Sequence, residues 1–211
     1  MTTLLKSIKT CGCCGKKTMV LEFGSTCSIG SRDLDLRPPQ MQRSAMFRCL
    51  QFCKLCGYAA WDLEEKIRPS DELKAILSEK ISTCDRLFER AARIAELNGR
   101  KKADVRHLYL VAAWAADDRK DAARATAMRR KVLSHVSPKC RYSPGRLLQF
   151  ADIARRAGET ETAAALLKRL ERRALEPSME RIAEFQKKLL AAGDTACYTM
   201  DQACDRPGDL E

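Results

Sequence analysis

From Pro69 onward the apolar positions recur at three- and four-residue steps. Leu73, Ile76, Leu77, Ile81, Cys84, Leu87, Phe88, Ala91 and Ile94 mark one face of a helix. Ser70 suits its N-cap, Asp71 and Glu72 occupy the first turn where the helix dipole favours acids, and Gly99 ends this one long helix. Before Ile67 the pattern changes. Cysteine and glycine are frequent, and short β-branched and aromatic runs at residues 18–23 and 46–52 predict the strands of a β-ribbon.

Two later stretches, residues 110–131 and 150–171, align at an offset of 40, which sets Trp114 on Ala154, Ala123 on Ala163 and Ala127 on Leu167. The second stretch fits a helix-turn-helix template of 34 residues. Leu147, Phe150, Ala151 and Ala154 lie on its first helix, Gly158 at the turn, Ala163, Leu167 and Leu170 on its second helix, and Pro177 closes the unit. It resembles a tetratricopeptide-like repeat in which Ala and Leu replace most large aromatic positions. The expected architecture is mainly α with a small β part. A zinc-ribbon-like domain with an extended hairpin spans 1–68, and a tetratricopeptide-like helical-repeat domain of about six helices spans 69–193. A flexible acidic tail spans 194–211, where the polar sequence with Pro207 and Gly208 is expected to fray.

With 211 residues the chain can bury a core in one domain or two. Its longest uninterrupted apolar run, residues 108–116, is less than half of the roughly 20 needed to span a bilayer. No membrane association is expected, and residues 1–10 lack a signal-peptide apolar core, so the expected compartment is the reducing cytoplasm. Eleven cysteines are many for such a chain. Thiols clustered there more often serve metal or catalysis than disulfides.

The cysteines carry the sharpest local signal. Cys11 and Cys14 with Gly15, and Cys53 and Cys56 with Gly57, form two knuckles whose thiols can face one ion while the glycine allows the backbone to turn and aim amides at sulfur. Four thiolates in a tetrahedron suit one structural zinc; iron in the same cage is the alternative. The 38 residues between the knuckles exceed the usual 15 to 20 of a compact ribbon, which requires a hairpin or loop extension. Cys13 inside the first knuckle and Cys49 ahead of the second could supplement the ligands or act as redox thiols, although a spare thiol and a half-buried strand residue account for them. Cys84 belongs to the apolar helical face, and Cys27, Cys140, Cys197 and Cys204 have no partner at ligand spacing.

Residues 11–15, the segment 31–36 (Ser-Arg-Asp-Leu-Asp-Leu) and residues 53–59 together resemble an uncharacterised bacterial family, domain of unknown function 2225. Its members pair a split zinc ribbon with a tetratricopeptide-like helical region. The resemblance implies metal binding and an interaction scaffold, with no reaction to carry over. Gly12 and Lys54 stand where such knuckles commonly hold proline.

Asp33 and Asp35 form a D-x-D pattern that could hold a divalent cation. Leu34 and Leu36 alternate with them, which instead predicts a strand or turn edge whose carboxylates pair with Arg32 and Arg37. No glycine-rich phosphate loop is present, and His107 and His135 sit at no spacing that predicts a nucleophile–base pair. Neither a catalytic residue nor a small-molecule substrate is indicated.

The net charge of +11 lies entirely in the first two thirds of the chain. Basic runs at 100–102 and 129–131, with Lys168, Arg169, Arg172 and Arg173, could bind nucleic acid through its phosphates. Interspersed acids and few aromatics fit a solvated helix face better. The expected function is therefore a non-enzymatic zinc-binding scaffold with a protein partner. Nucleic-acid binding and an iron or thiol redox protein are the alternatives.

Overall fold

The computed structural model describes residues 3–25 and 28–204. It is mainly helical with a small sheet part, and two compact units interleave along the chain. One comprises Met1–Ser28 with Gln40–His135, the other Ile29–Pro39 with Val136–Glu211.

In the first unit, β1 (Thr3–Thr10) pairs antiparallel with β2 (Lys17–Ser25), with Ser7 opposite Val20 and Thr10 opposite Lys17. After helix α1 (Gln40–Met46), the two-residue strands β3 (Gln51–Phe52) and β4 (Ala59–Ala60) form a second antiparallel hairpin. The strand predicted over 46–52 is thus mostly absent. Met46 closes α1, and Arg48 and Cys49 donate their backbone N–H back to Ala45 and Met46 in a turn. Phe47 packs edge-on against Phe88, 6.1 Å between centroids, so tertiary packing overrides its β propensity.

The long helix predicted from Ser70 to Gly99 is two helices, α2 (Asp71–Ser78) and α3 (Cys84–Leu97). Ser70 caps α2, its hydroxyl accepting from Leu73 N–H at 3.0 Å. The break at Glu79 is secured from α3. Arg90 donates to the Glu79 carbonyl, and Arg93 Nη1 donates to both Glu79 carboxylate oxygens at 2.7 and 2.8 Å. The apolar run Leu108 to Ala116 forms the middle of α4 (Lys102–Asp118), packed between α3 and α5 (Ala122–Ser134). A helix buried on both sides is apolar around its circumference rather than along one stripe.

The second unit centres on α6 (Pro144–Arg156), whose residues Leu147 to Arg155 are all buried. It packs with α7 (Thr160–Lys168) and α8 (Pro177–Ala191). Residues 194–204 make hydrogen bonds within the second unit. Arg155 donates to Asp194 O at 2.5 Å and Ala196 O at 2.8 Å, Asp33 bridges Thr199, and α9 (Met200–Cys204) follows. Residues 205–211 lie outside the described residues.

The hairpins α4–α5 and α6–α7 do share a turn, at an offset of 38 rather than 40. Asp121 N–H donates to Ala116 O as Glu159 N–H donates to Ala154 O, and Lys120, φ 59, stands where Gly158, φ 73, completes the other turn. Ala125, not Ala123, is therefore the counterpart of Ala163, and both are 1% exposed.

Candidate metal centre

The two knuckles occupy the tips of the two β-hairpins, and their backbones follow one pattern. Cys11 N–H donates to Lys16 O at 3.0 Å and Gly15 N–H to Cys11 O at 2.8 Å; Cys53 N–H donates to Tyr58 O at 2.8 Å and Gly57 N–H to Cys53 O at 2.9 Å. Each loop therefore reverses within six residues and turns two thiols toward the same side. Gly15 and Gly57, φ 70 and 81, adopt the left-handed backbone this reversal needs. Gly12 serves a different purpose. Its N–H donates to Leu63 O at 2.8 Å, and a Cβ there would lie 2.0 Å from Glu65 O, so close backbone approach excludes any side chain, proline included.

This architecture gathers Cys11, Cys14, Cys53 and Cys56, whose Sγ atoms all lie within 4.8 Å of one another. Cys11 Sγ is 3.7 Å from Cys56 Sγ, and Cys14 Sγ is 3.8 Å from Cys53 Sγ. Bonds of about 2.3 Å to a tetrahedral zinc separate sulfurs by about 3.8 Å, whereas a disulfide brings them to about 2.05 Å. All four are free thiols at metal-ligand spacing, and the cluster can hold a metal ion.

Local electrostatics favour thiolates only in part. The Lys16 amide donates to Cys14 and holds its thiol below the ordinary value. Burial pushes the Cys11 thiol up against hydrogen bonds from the Cys14 and Cys13 amides, and it pushes Cys56 up despite the Tyr58 amide. The four sulfurs crowd a half-buried space that a divalent cation would neutralise. Amides directed at sulfur are the outer partners such a centre uses to orient its ligands.

The cluster rests on an apolar base. Cys11 and Cys53 are buried with Val20, Tyr58, Leu63, Ile67, Leu73, Ile76 and Ile94, which joins both knuckles to α2 and α3. Polar braces complete the support. Tyr58 OH donates to Glu65 O at 3.1 Å, Asn98 Nδ2 to Glu65 Oε1 at 2.9 Å, and Arg100 pairs with Glu65 Oε2 at 2.6 Å. Arg90 reaches Gly57 O at 3.2 Å. Sequence spacing shows none of the braces from Asn98, Arg100 and Arg90, because each joins residues more than 30 positions apart.

Cys13 and Cys49 are outside the four-sulfur cluster, both thiols pushed up by burial. Burial raises Cys84, at the start of α3, to about 11. Cys27 lies outside the described residues. His107 stacks on Trp61, and His135 Nε2 meets Glu96 Oε1 at 2.6 Å.

Asp33 and Asp35 join no metal-ligating group among the described residues. Asp35, fully buried, accepts the Arg37 backbone N–H at 3.1 Å and pairs with Arg156 at 2.8 Å; Asp33 accepts from the Cys197 thiol at 3.2 Å. Both carboxylates thus meet groups far along the chain, Arg156 in α6 and Cys197 beyond α8. Several basic-run residues are also engaged internally. Arg129 is buried against Asp117 at 2.5 Å, Arg169 donates to Cys140 O at 2.6 Å and Arg173 to Tyr142 O at 2.6 Å.

No helix among the described residues is long and apolar enough to cross a membrane. Compared with protein-family models, curated proteins and solved structures, the chain matches none.

Proposed function

We propose that Cys11, Cys14, Cys53 and Cys56 hold one structural zinc ion in a non-enzymatic interaction protein whose tetratricopeptide-like helices receive a protein partner. The observation that carries this reading is the four-sulfur cluster, with all Sγ atoms within 4.8 Å and two separations of 3.7 and 3.8 Å. Four protein thiolates would fill a tetrahedral shell and leave no position for substrate or water, the mark of a structural rather than a catalytic zinc site. Zinc has no redox chemistry of its own; its binding free energy at such sites, about 10–16 kcal/mol, becomes folding free energy for the ribbon. The similarity of residues 11–15, 31–36 and 53–59 to domain of unknown function 2225 supports the same reading, and free thiols accord with a reducing cytoplasm.

Native mass spectrometry with metal identification tests it on the wild type, Cys14→Ser and Cys56→Ser. The expected result is one zinc in the wild type and none in either variant, with helical circular dichroism retained. Full occupancy in both variants, or iron with thiolate charge-transfer absorbance, would overturn the assignment. Steeply salt-dependent retention on DNA or RNA would replace the protein partner by nucleic acid.

A further inference from the structure

The second unit contains a cavity of about 490 Å³. That volume is within the roughly 300–1,000 Å³ typical of ligand pockets. Its apolar wall comprises Leu34 and Leu36 from the inserted segment, Leu148 from α6, Met179 and Ile182 from α8, and Met200 from α9. Among the described residues, a single charged side chain, Arg146, lines it, and no carboxylate does.

Arg146 is positioned from beneath. Its Nη1 donates to Gln149 Oε1 at 2.7 Å, and Gln149, 5% exposed, donates through Nε2 to Asp35 O at 2.9 Å. The buried amide uses one of the five guanidinium donors, and no acidic side chain among the described residues pairs with the rest. The first turns of α6 and α8 reach the same cavity through Ser143, Gly145 and Ser178. Ser143, the N-cap of α6, makes no side-chain capping hydrogen bond and the first turn of α6 holds no acid, so the positive end of this dipole adds to the Arg146 charge.

Leu36 lines the same cavity from a strained backbone position. Its φ of 69 is in the left-handed region that a leucine adopts only under strain. The turn demands that backbone: Leu36 N–H donates to Asp33 O at 2.8 Å, and Asp33 N–H to Arg37 O at 3.1 Å. Glycine would satisfy it without strain, yet the position carries a side chain that forms part of the cavity wall.

We infer that this cavity binds an amphipathic monocarboxylate with an aliphatic chain. The carboxylate meets Arg146 and the α6 N-terminus, and the chain lies against the Leu, Met and Ile wall. One guanidinium balances one negative charge and offers the planar fork that a carboxylate fits. An aliphatic chain brings no further polar groups for a wall that could not satisfy them. The site is independent of the metal reading.

Isothermal titration of the full chain with decanoate, below its micellar range, tests the inference against decan-1-ol and decylamine. Decanoate should bind one-to-one, with decylamine at least tenfold weaker. Arg146→Gln should weaken decanoate at least tenfold and bring it level with decan-1-ol. Leu36→Gly should keep or raise the melting temperature while weakening decanoate, since it relieves the backbone and removes wall. Absence of saturable decanoate binding to the wild type, equal binding of decylamine, or unchanged affinity in Arg146→Gln would overturn it.

Discussion

The two glycines of the first knuckle separate a steric requirement from a dihedral one. A Cβ on Gly12 would lie 2.0 Å from Glu65 O and 2.5 Å from its carbonyl carbon, where contacts under 3.0 Å do not occur. The neighbour is backbone, so no side chain can swing aside, and the two segments must separate by about 1 Å. That displacement breaks the 2.8 Å hydrogen bond from Gly12 N–H to Leu63 O. A lost hydrogen bond of about 1 kcal/mol, with up to about 3 kcal/mol for a donor left without a partner, puts Gly12→Ala at roughly 2–4 kcal/mol. A Cβ on Gly15 meets nothing within 4 Å; its only penalty is φ 70, about 1 kcal/mol for alanine. Urea denaturation of both variants gives the two costs. A Gly15→Ala cost equal to or above that of Gly12→Ala would refute the close-approach account of Gly12.

Three further outcomes are expected. Asp35→Ala breaks the 2.8 Å ion pair with Arg156, whose side chain is 7% exposed, and should destabilise the second unit by about 3–5 kcal/mol, read as faster amide hydrogen exchange along α6; a cost below about 1 kcal/mol would remove the ion pair from the account of how residues 29–39 dock. Burial holds the Asp152 carboxyl up at about 6, partly offset by Arg155. A carboxyl raised in the folded state binds its proton more tightly there than in the unfolded chain, so its contribution is greatest at low pH and declines as pH rises from about 4 to about 6. Relative to Asp152→Asn, the wild type should therefore lose up to about 3 kcal/mol across that window in denaturation at stepped pH; a flat difference curve would contradict it. Lys120→Gly relieves φ 59 at the turn where the second hairpin carries Gly158, and should add about 1 kcal/mol, a rise of about 2–4 °C in calorimetric melting temperature; a fall would mean the lysine side chain contributes more than its backbone costs.

What was legible in the sequence depended on how local its cause is. The knuckle cysteines could be read because the spacing within each knuckle, with its following glycine, determines a turn through hydrogen bonds between near neighbours, and because thiols have few other uses in such pairs. The Ser70 cap and the Gly99 stop were equally local. The break between α2 and α3 was not, since the Glu79 carbonyl is satisfied by Arg90 from the next helix, a partner that periodicity does not reveal. An offset of 40 sets Ala123 on Ala163 by identity, two positions from the structural offset of 38, because Lys120 masks a turn that its glycine counterpart makes visible.

By itself, then, the sequence determined a mainly helical chain with a small sheet part and named the four thiols that come together. Tertiary structure alone decided that Asp33 and Asp35 serve burial and docking, for Asp35 meets Arg156 across 121 positions of chain. It also decided where residues 194–204 find partners, through carbonyls that Arg155 reaches from α6. A buried charge must find a counter-charge and a buried carbonyl a donor, and which distant residue supplies it is settled only when the chain has packed.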